Sequence, residues 1–219
     1  MNIRFFALAA ALSSVAAFGQ AVDTSFQVRY AANLAVGESV INFTNSGASS
    51  TDSGLGGGTT TFAQNGEICA NIYAYSPDEQ LVSCCSCNVT ANALNSLSVK
   101  ADLGTNTLTP IIPSSLVIKV LATRGGAACT ASSAATAGNA TNPLIPGLLA
   151  WGTTLHALPN TPGTPATTYG VTETAFSPAT LVEAERSRMT QLCSFIRANG
   201  SGFGICKSCK VGGLGASSK

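Results

Sequence analysis

Eight cysteines are the residues of this chain best suited to chemistry, and their spacing limits which chemistry that is. Three of them fall in the run Cys84-Cys85-Ser86-Cys87 and two in Cys206-Lys207-Ser208-Cys209, while Cys69, Cys129 and Cys193 stand apart. Eight cysteines admit many pairings, so the sequence predicts disulfides without predicting their partners. Neighbouring residues of a strand point to opposite faces, so at least one cysteine of the first run must bond to a distant segment.

Two other uses of these cysteines remain open. A thioredoxin-like exchange centre at Cys206 and Cys209 would need a thiolate activated at a helix N-terminus. The predicted helix precedes this pair, however, and the Gly-rich stretch 211–215 follows it. A zinc site would need Cys193, Cys206, Cys209 and one cysteine of the 84–87 run as thiolates, which rarely persist in an oxidising space. Structural disulfides are therefore the leading interpretation.

Residues suited to acid–base catalysis are scarce. His156 is the only histidine, and no Gly-x-Ser-x-Gly sequence supplies a nucleophile for it. Asp78 and Glu79 are adjacent acids, but they follow Pro77 in turn-forming sequence, where solvation accounts for them. We therefore predict no catalytic residue, no metal ligand and no cofactor, and we interpret the chain as a protein other than an enzyme.

Three aromatic residues are candidates for stacking on a ligand. Tyr73, Tyr75 and Trp151 fall in segments that alternate between apolar and polar residues, as strands do. Rings on a strand surface can stack on a sugar, as in a lectin, but core packing or an ordinary strand surface is the commoner role of such rings. The sequence leaves both interpretations open.

The composition argues against charged partners. Charged residues make up 10% of the chain, against about 25% in typical domains, and the formal net charge is +1. Such a surface has no strong field with which to attract nucleic acid. It also offers little repulsion between copies, so the predicted partners are a second copy of the chain or cell-surface material such as a glycan.

Residues 1–20 are typical of a signal peptide. Arg4 provides a positive start, residues 5–17 are apolar and small, and Ala17-Phe18-Gly19 fits a cleavage site. The apolar run is too short for a membrane span, which needs about 20 residues. We therefore expect a single domain over 21–219 in the periplasm, at the cell surface or outside the cell, with no transmembrane segment in the mature chain.

The best-defined structural element is a hairpin over 67–87. Alternating residues lead into Ser76-Pro77-Asp78-Glu79, which has good turn chemistry, and a second alternating run leads out. A turn centred on Pro77 and Asp78 would bring Cys69 near Cys85 to Cys87. One disulfide across the hairpin would then be geometrically easy and is expected, although the sequence does not fix the partner of Cys69.

The remaining elements predict a mainly β fold. Further strands are expected over 25–30, 39–44, 116–121, 149–155 and 169–174, with loops over 46–61 and 123–146 and an ambiguous helix or strand over 90–107. A helix is expected over 177–199, capped by Ser177 and ended by Gly200. Its packed residues would be Leu181, Met189, Leu192, Phe195 and Ile196. Together these predict a disulfide-stapled, sandwich-like β domain with long polar loops and one C-terminal helix.

The two cysteine runs also carry a resemblance. The Cys84–Cys87 run, followed far downstream by 199–209 (Asn-Gly-Ser-Gly-Phe-Gly-Ile-Cys-Lys-Ser-Cys), is similar to a family of exported bacterial proteins that has no assigned activity. The resemblance implies secretion and brings no functional residues with it. The leading functional hypothesis is thus an exported, non-enzymatic structural or interaction protein of the cell envelope or extracellular space. A carbohydrate-binding module and an exported thiol–disulfide enzyme are the alternatives.

Overall fold

The structure is a computed structural model that describes residues 24–48, 66–109, 111–125, 129–158, 167–207 and 209–211. The predicted signal peptide and most of the predicted 46–61 loop lie outside these residues. The strands are β1 (Phe26–Ala31), β2 (Val40–Asn45), β3 (Ile68–Tyr75), β4 (Leu81–Val89), β5 (Leu94–Ser98), β6 (Leu116–Arg124), β7 (Leu148–Ala157), β8 (Tyr169–Ala175), β9 (Ser177–Pro178) and β10 (Lys210–Val211). The helical elements are a π-helical segment (Val99–Gly104), α1 (Ala131–Thr136) and α2 (Glu183–Asn199).

The strands form two antiparallel sheets. The first sheet has the order β4-β3-β6-β1-β9, and the second has the order β10-β5-β2-β7-β8. One core lies between them, with Ile72 and Cys85 of the first sheet joining Ile41, Phe43 and Leu97 of the second. The prediction of a mainly β, sandwich-like fold is therefore confirmed.

The first sheet also packs on its other face. Tyr73 and Cys84 point away from the sandwich core and form a second cluster with Met189, Cys193 and Ile196 of α2. The side chains of β3 and β4 alternate between the two clusters, which is the period of two expected for a strand buried on both faces. Tyr73 and Met189 are each fully buried in this way. Burial of such side chains stabilises the helix against the sheet by roughly 1.5 to 3 kcal/mol each.

The helix begins later than the sequence predicts. Ser177 and Pro178 pair with Val28 and Gln27 of β1 as the short edge strand β9, and α2 starts at Glu183. A proline is tolerated at a sheet edge because the edge needs no N–H on its outer side, so Pro178 suits both structures. The predicted end is confirmed: Gly200 follows the helix with φ of 67°, and its N–H donates to the carbonyl of Arg197.

One residue of the predicted helix face is exposed. Met189, Cys193 and Ile196 form the buried stripe of α2, spaced by four and three residues. Phe195 lies one residue from that stripe, about 100° around the helix axis, and is 66% exposed. The expectation that Phe195 packs on the sheet is therefore wrong.

Two segments that the sequence left irregular or ambiguous have regular structure. Residues 90–107 contain both β5 and the π-helical segment. Within the expected 123–146 loop, α1 is a short helix capped by Thr130, whose side chain accepts from the N–H of Ser132. A six-residue helix of Ala, Ser and Thr has no apolar stripe, so periodicity could not predict it.

A buried arginine joins the two sheets at the β1–β8 side of the sandwich. The guanidinium of Arg29 donates to the carbonyl oxygen of Thr174 at 2.6 Å and to the hydroxyl of Thr154 at 2.7 Å. It also lies 5.7 Å from the centroid of the Phe176 ring. Arg29 is only 6% exposed, and burial lowers its pKa while Glu173 opposes that effect. Neutral oxygens and an aromatic ring thus surround the Arg29 guanidinium, and its hydrogen bonds link the two sheets across the sandwich.

Candidate functional site

The cysteines of β4 are divided between its two faces. Cys84 points to the cluster beneath α2, whereas Cys85 and Cys87 point into the core between the sheets. This follows from the alternation of side chains along a strand. The prediction that at least one cysteine of the run bonds to a distant segment is confirmed, and all three do so.

All eight cysteines are paired in four disulfides. The bonds join Cys69 to Cys129, Cys84 to Cys193, Cys85 to Cys206, and Cys87 to Cys209. Their Cα–Cα separations are 5.5, 5.9, 5.4 and 5.6 Å, inside the usual range. The prediction of disulfide bonding is confirmed, and three of the four bonds clamp β4 to the C-terminal 193–209 region.

The expected disulfide across the hairpin is wrong. Cys69 lies opposite Asn88 on β4, and its side chain shares a face with Asn88 and not with Cys85 or Cys87. The turn is longer than a two-residue turn, because the N–H of Ser76 donates to the carbonyl of Gln80. A bulge after Ala74 then shifts the register by one more residue. Cys69 therefore reaches the segment after β6 and bonds to Cys129.

The pairing separates the two cysteines of the Cys-x-x-Cys motif. A thioredoxin-like centre would join Cys206 to Cys209, yet each of them is bonded to β4 instead. A zinc centre would need thiolates, and these sulfurs are already in disulfides. Within the described residues, no group of three or more His, Cys, Asp or Glu side chains is arranged to hold a metal ion.

Hydrogen bonds place the tail that carries these cysteines along the outer edge of β4. The backbone N–H of Cys84 donates to the carbonyl of Gly204 at 2.9 Å, and the side-chain amide of Asn106 donates to the carbonyl of Ile205 at 2.7 Å. Gly204 has φ of 75°, and a Cβ there would come within 2.7 Å of Ile196. The tail can approach α2 this closely only with glycine at that position.

The three aromatic candidates have different environments. Tyr73 is fully buried, and its hydroxyl donates to the carbonyl of Ala134 in α1, so its ring is not accessible for stacking. Tyr75 is 6% exposed. Trp151 is half-buried on the second sheet, where its cross-strand neighbours are Asn42 and Ala175. Trp151 is therefore the most exposed of the three.

Tyr75 lines a cleft between the hairpin turn and α2. The cleft has a volume of about 310 Å³ and collects two of the ion pairs in the described residues, Lys119 with Glu185 and Arg188 with Glu79. The Lys119 ammonium also lies 5.0 Å from the centroid of the Tyr75 ring. The Tyr75 hydroxyl is buried without a hydrogen-bond partner, and burial, followed by the nearby Glu185, raises its pKa. Sequence patterns could not predict this cleft, because its residues come from three separate segments.

The contacts of His156 differ from those of the histidine in a catalytic triad. It pairs with Gly170 of β8, and a Cβ on that glycine would come within 2.9 Å of the imidazole ring. Its Nδ1 is buried and has no hydrogen-bond partner, so no carboxylate orients the ring from that side as a Ser-His-Asp triad requires. The ring packs over the glycine as a strand residue.

Asp78 and Glu79 lie in the hairpin turn. The carboxylate of Asp78 accepts from the hydroxyl of Ser76, and Glu79 has φ of 65°. Glu79 points to Arg188, 3.5 Å away. Local turn contacts and one exposed ion pair therefore account for both acids.

No protein-family model matches the chain, and no curated protein and no solved structure matches it either. The functional inference therefore depends on the residues and geometry described above. Among the described residues, no helix is long and apolar enough to cross a membrane.

Proposed function

We propose that this protein is an exported, non-enzymatic structural or interaction module that acts in the cell envelope or outside the cell. The observation that carries the proposal is the complete pairing of its cysteines, with three bonds leaving one strand. Disulfides persist in oxidising compartments, and four of them in one chain are typical of secreted domains. The signal-like residues 1–20 agree with export.

Ion pairs contribute little to the stability of this sparsely charged protein, which leaves the disulfides as its main cross-links. Only three ion pairs occur among the described residues, and all three involve partly exposed side chains. Exposed pairs of this kind contribute about 0 to 1 kcal/mol each. Covalent cross-links therefore hold the tail and α2 against β4 where electrostatics contribute little. A scaffold of this kind presents surfaces to a partner rather than reacting with a substrate.

The proposal is tested by expressing the full chain in a host with a periplasm. We expect the protein in the exported fraction, beginning near Gln20 to Val22, with no free thiol and no hydrolysis of a broad substrate panel. An uncleaved, cytosolic product with free thiols would contradict export. Hydrolysis that is abolished by His156→Ala would contradict the non-enzymatic assignment.

Carbohydrate binding is retained as a second function because Trp151 is half-buried on a sheet and is the most exposed of the three aromatic candidates. Aromatic rings and neighbouring polar side chains together suit the apolar face and hydroxyl groups of a sugar. The neighbour of Trp151 on β2 is Asn42, whose side-chain oxygen accepts from the hydroxyl of Ser96. Binding on a glycan array that Trp151→Ala abolishes and Tyr73→Phe retains would favour this function.

A further inference from the structure

The second sheet ends in a long strand with an open edge. Within the described residues, β8 pairs with β7 alone, and the register is continuous from Trp151 opposite Ala175 to Ala157 opposite Tyr169. Residues 171–175 are exposed on both faces of the strand. An edge of this kind carries unpaired N–H and C=O groups and is a template for another strand.

The backbone groups that face outward can be identified from the bonds at the two ends of the ladder. The N–H of Phe176 donates to the carbonyl of Ala150 at 2.8 Å, and the N–H of Leu158 donates to the carbonyl of Thr168 at 3.1 Å. Bonded and non-bonded pairs alternate in an antiparallel ladder, so the even-numbered residues between these points bond to β7. The residues with outward-facing N–H and C=O groups are Tyr169, Val171, Glu173 and Ala175.

The other three sheet edges in the described residues are shorter or covered. The tail covers part of the β4 edge through the bond from Cys84 to Gly204. β9 and β10 are two residues each, and β9 includes Pro178, which donates no hydrogen bond. β8 has seven residues without proline, lysine or a break in register, and Glu173 is its only charge. Of the four edges, β8 lacks the features that normally prevent pairing.

We propose that two copies of this chain join through β8, antiparallel and about a twofold axis at Thr172, so that their second sheets become one continuous sheet. The proposal rests on the function above and names its partner as a second copy. A twofold axis is the usual symmetry of a homodimer, and it makes the same strand the partner on both sides.

The residue order of β8 favours this register. Thr172 is the middle residue, so pairing about it engages the whole strand from Tyr169 to Ala175. Val171 then lies opposite Glu173 of the second copy, and their outward N–H and C=O groups can exchange hydrogen bonds. A register centred on Glu173 would place two carboxylates opposite each other, which is unfavourable. The formal net charge of +1 adds little repulsion between the two copies.

Engineered cysteines test the register directly. In the proposed dimer the two copies of residue 172 form a non-hydrogen-bonded pair with Cα atoms about 4.5 Å apart, which a disulfide can span. Thr172→Cys should therefore give a covalent dimer under mild oxidation. Val171→Cys and Glu173→Cys are the matched controls, because neither residue lies opposite the same residue of the second copy. Each of these variants alone should therefore stay uncrosslinked. Cross-linking by either control in place of Thr172→Cys would overturn the register.

Sedimentation of the otherwise native protein provides the second measurement. Glu173→Pro removes an outward N–H while leaving the bonds to β7. The dissociation constant of the dimer should therefore rise by about tenfold or more. Circular dichroism should confirm that this variant is folded. A wild-type monomer at all concentrations, a dimer that Glu173→Pro leaves unchanged, or a monomer that captures an extended foreign peptide at β8 would each overturn self-pairing. A monomer that is exported with all cysteines paired would leave the proposed function intact.

Discussion

Removing the disulfide between Cys69 and Cys129 should destabilise the protein more than removing the one between Cys87 and Cys209, although the second bond spans twice as many residues. The sequence separations are 60 and 122. A disulfide stabilises a protein chiefly by restricting the unfolded chain, and the effect depends on the loop that the bond closes. The loop that matters is the one left when all other disulfides are intact.

The neighbouring bonds shorten that loop. With Cys85–Cys206 in place, Cys87–Cys209 closes a loop of only about five residues and contributes about 2 kcal/mol in the chain-entropy treatment. Cys84–Cys193 closes about 14 residues under the same condition and contributes about 3 kcal/mol. Cys69–Cys129 has no such neighbour and contributes about 4 kcal/mol.

Urea unfolding without reductant measures these differences. The paired variants Cys69→Ala with Cys129→Ala and Cys87→Ala with Cys209→Ala are well matched, because each bond has one buried and one half-buried cysteine. Packing losses should therefore be similar, and the difference in the free energy of unfolding should be about 2 kcal/mol. Fluorescence of Trp151, the only tryptophan, reports the transition. Equal losses, or a larger loss at Cys87–Cys209, would refute the reasoning.

Four further outcomes are expected. Arg29→Met should lower the free energy of unfolding by about 2 to 3 kcal/mol, because it removes the hydrogen bonds that a charged side chain donates to the other sheet. Arg188→Met at an exposed pair should change it by less than about 1 kcal/mol, and equal effects in calorimetry would contradict the cross-sheet role of Arg29. Tyr73→Phe should lower the free energy of unfolding by about 1 to 2 kcal/mol and Tyr75→Phe should leave it unchanged, because only the Tyr73 hydroxyl has a hydrogen-bond partner. A larger loss at Tyr75 than at Tyr73 in urea unfolding would contradict this. Burial raises the pKa of both Tyr73 and Tyr75, so their contribution to the free energy of unfolding should be constant below about pH 10 and should fall above it by up to about 1.4 kcal/mol per pH unit for each tyrosine. The variant with both tyrosines changed to Phe should lose this slope when unfolding is measured against pH. If the second function holds, Trp151→Ala should abolish glycan-array binding while leaving the unfolding midpoint within a few degrees of wild type; binding that survives the substitution would exclude this ring.

Local signals in the sequence were sufficient for most strands and for the hairpin. Alternation over 68–75 and the turn chemistry of Pro77 and Asp78 both act within a few residues, so they can be seen without a structure. The end of α2 was also predictable, since Gly200 adopts a left-handed conformation that other residues rarely tolerate. The start of α2 was not, because Pro178 fits an edge strand as well as a first helical turn.

Long-range features could not be predicted from the sequence. The partner of Cys69 depends on a turn one residue longer than expected and on a bulge after Ala74, and both shift the register. The Tyr75 cleft and the bonds from Arg29 to Thr174 join segments more than one hundred residues apart. No local pattern encodes such contacts, since they arise only when the two sheets and α2 pack together.

The central claim is that β4 is clamped to α2 and the tail by three specific disulfides. Partial reduction and alkylation of the purified protein, followed by mass spectrometry, test it most directly because they resolve the adjacent cysteines one bond at a time. The account predicts Cys84 joined to Cys193, Cys85 to Cys206 and Cys87 to Cys209. A bond between Cys206 and Cys209, or free thiols on β4, would contradict it.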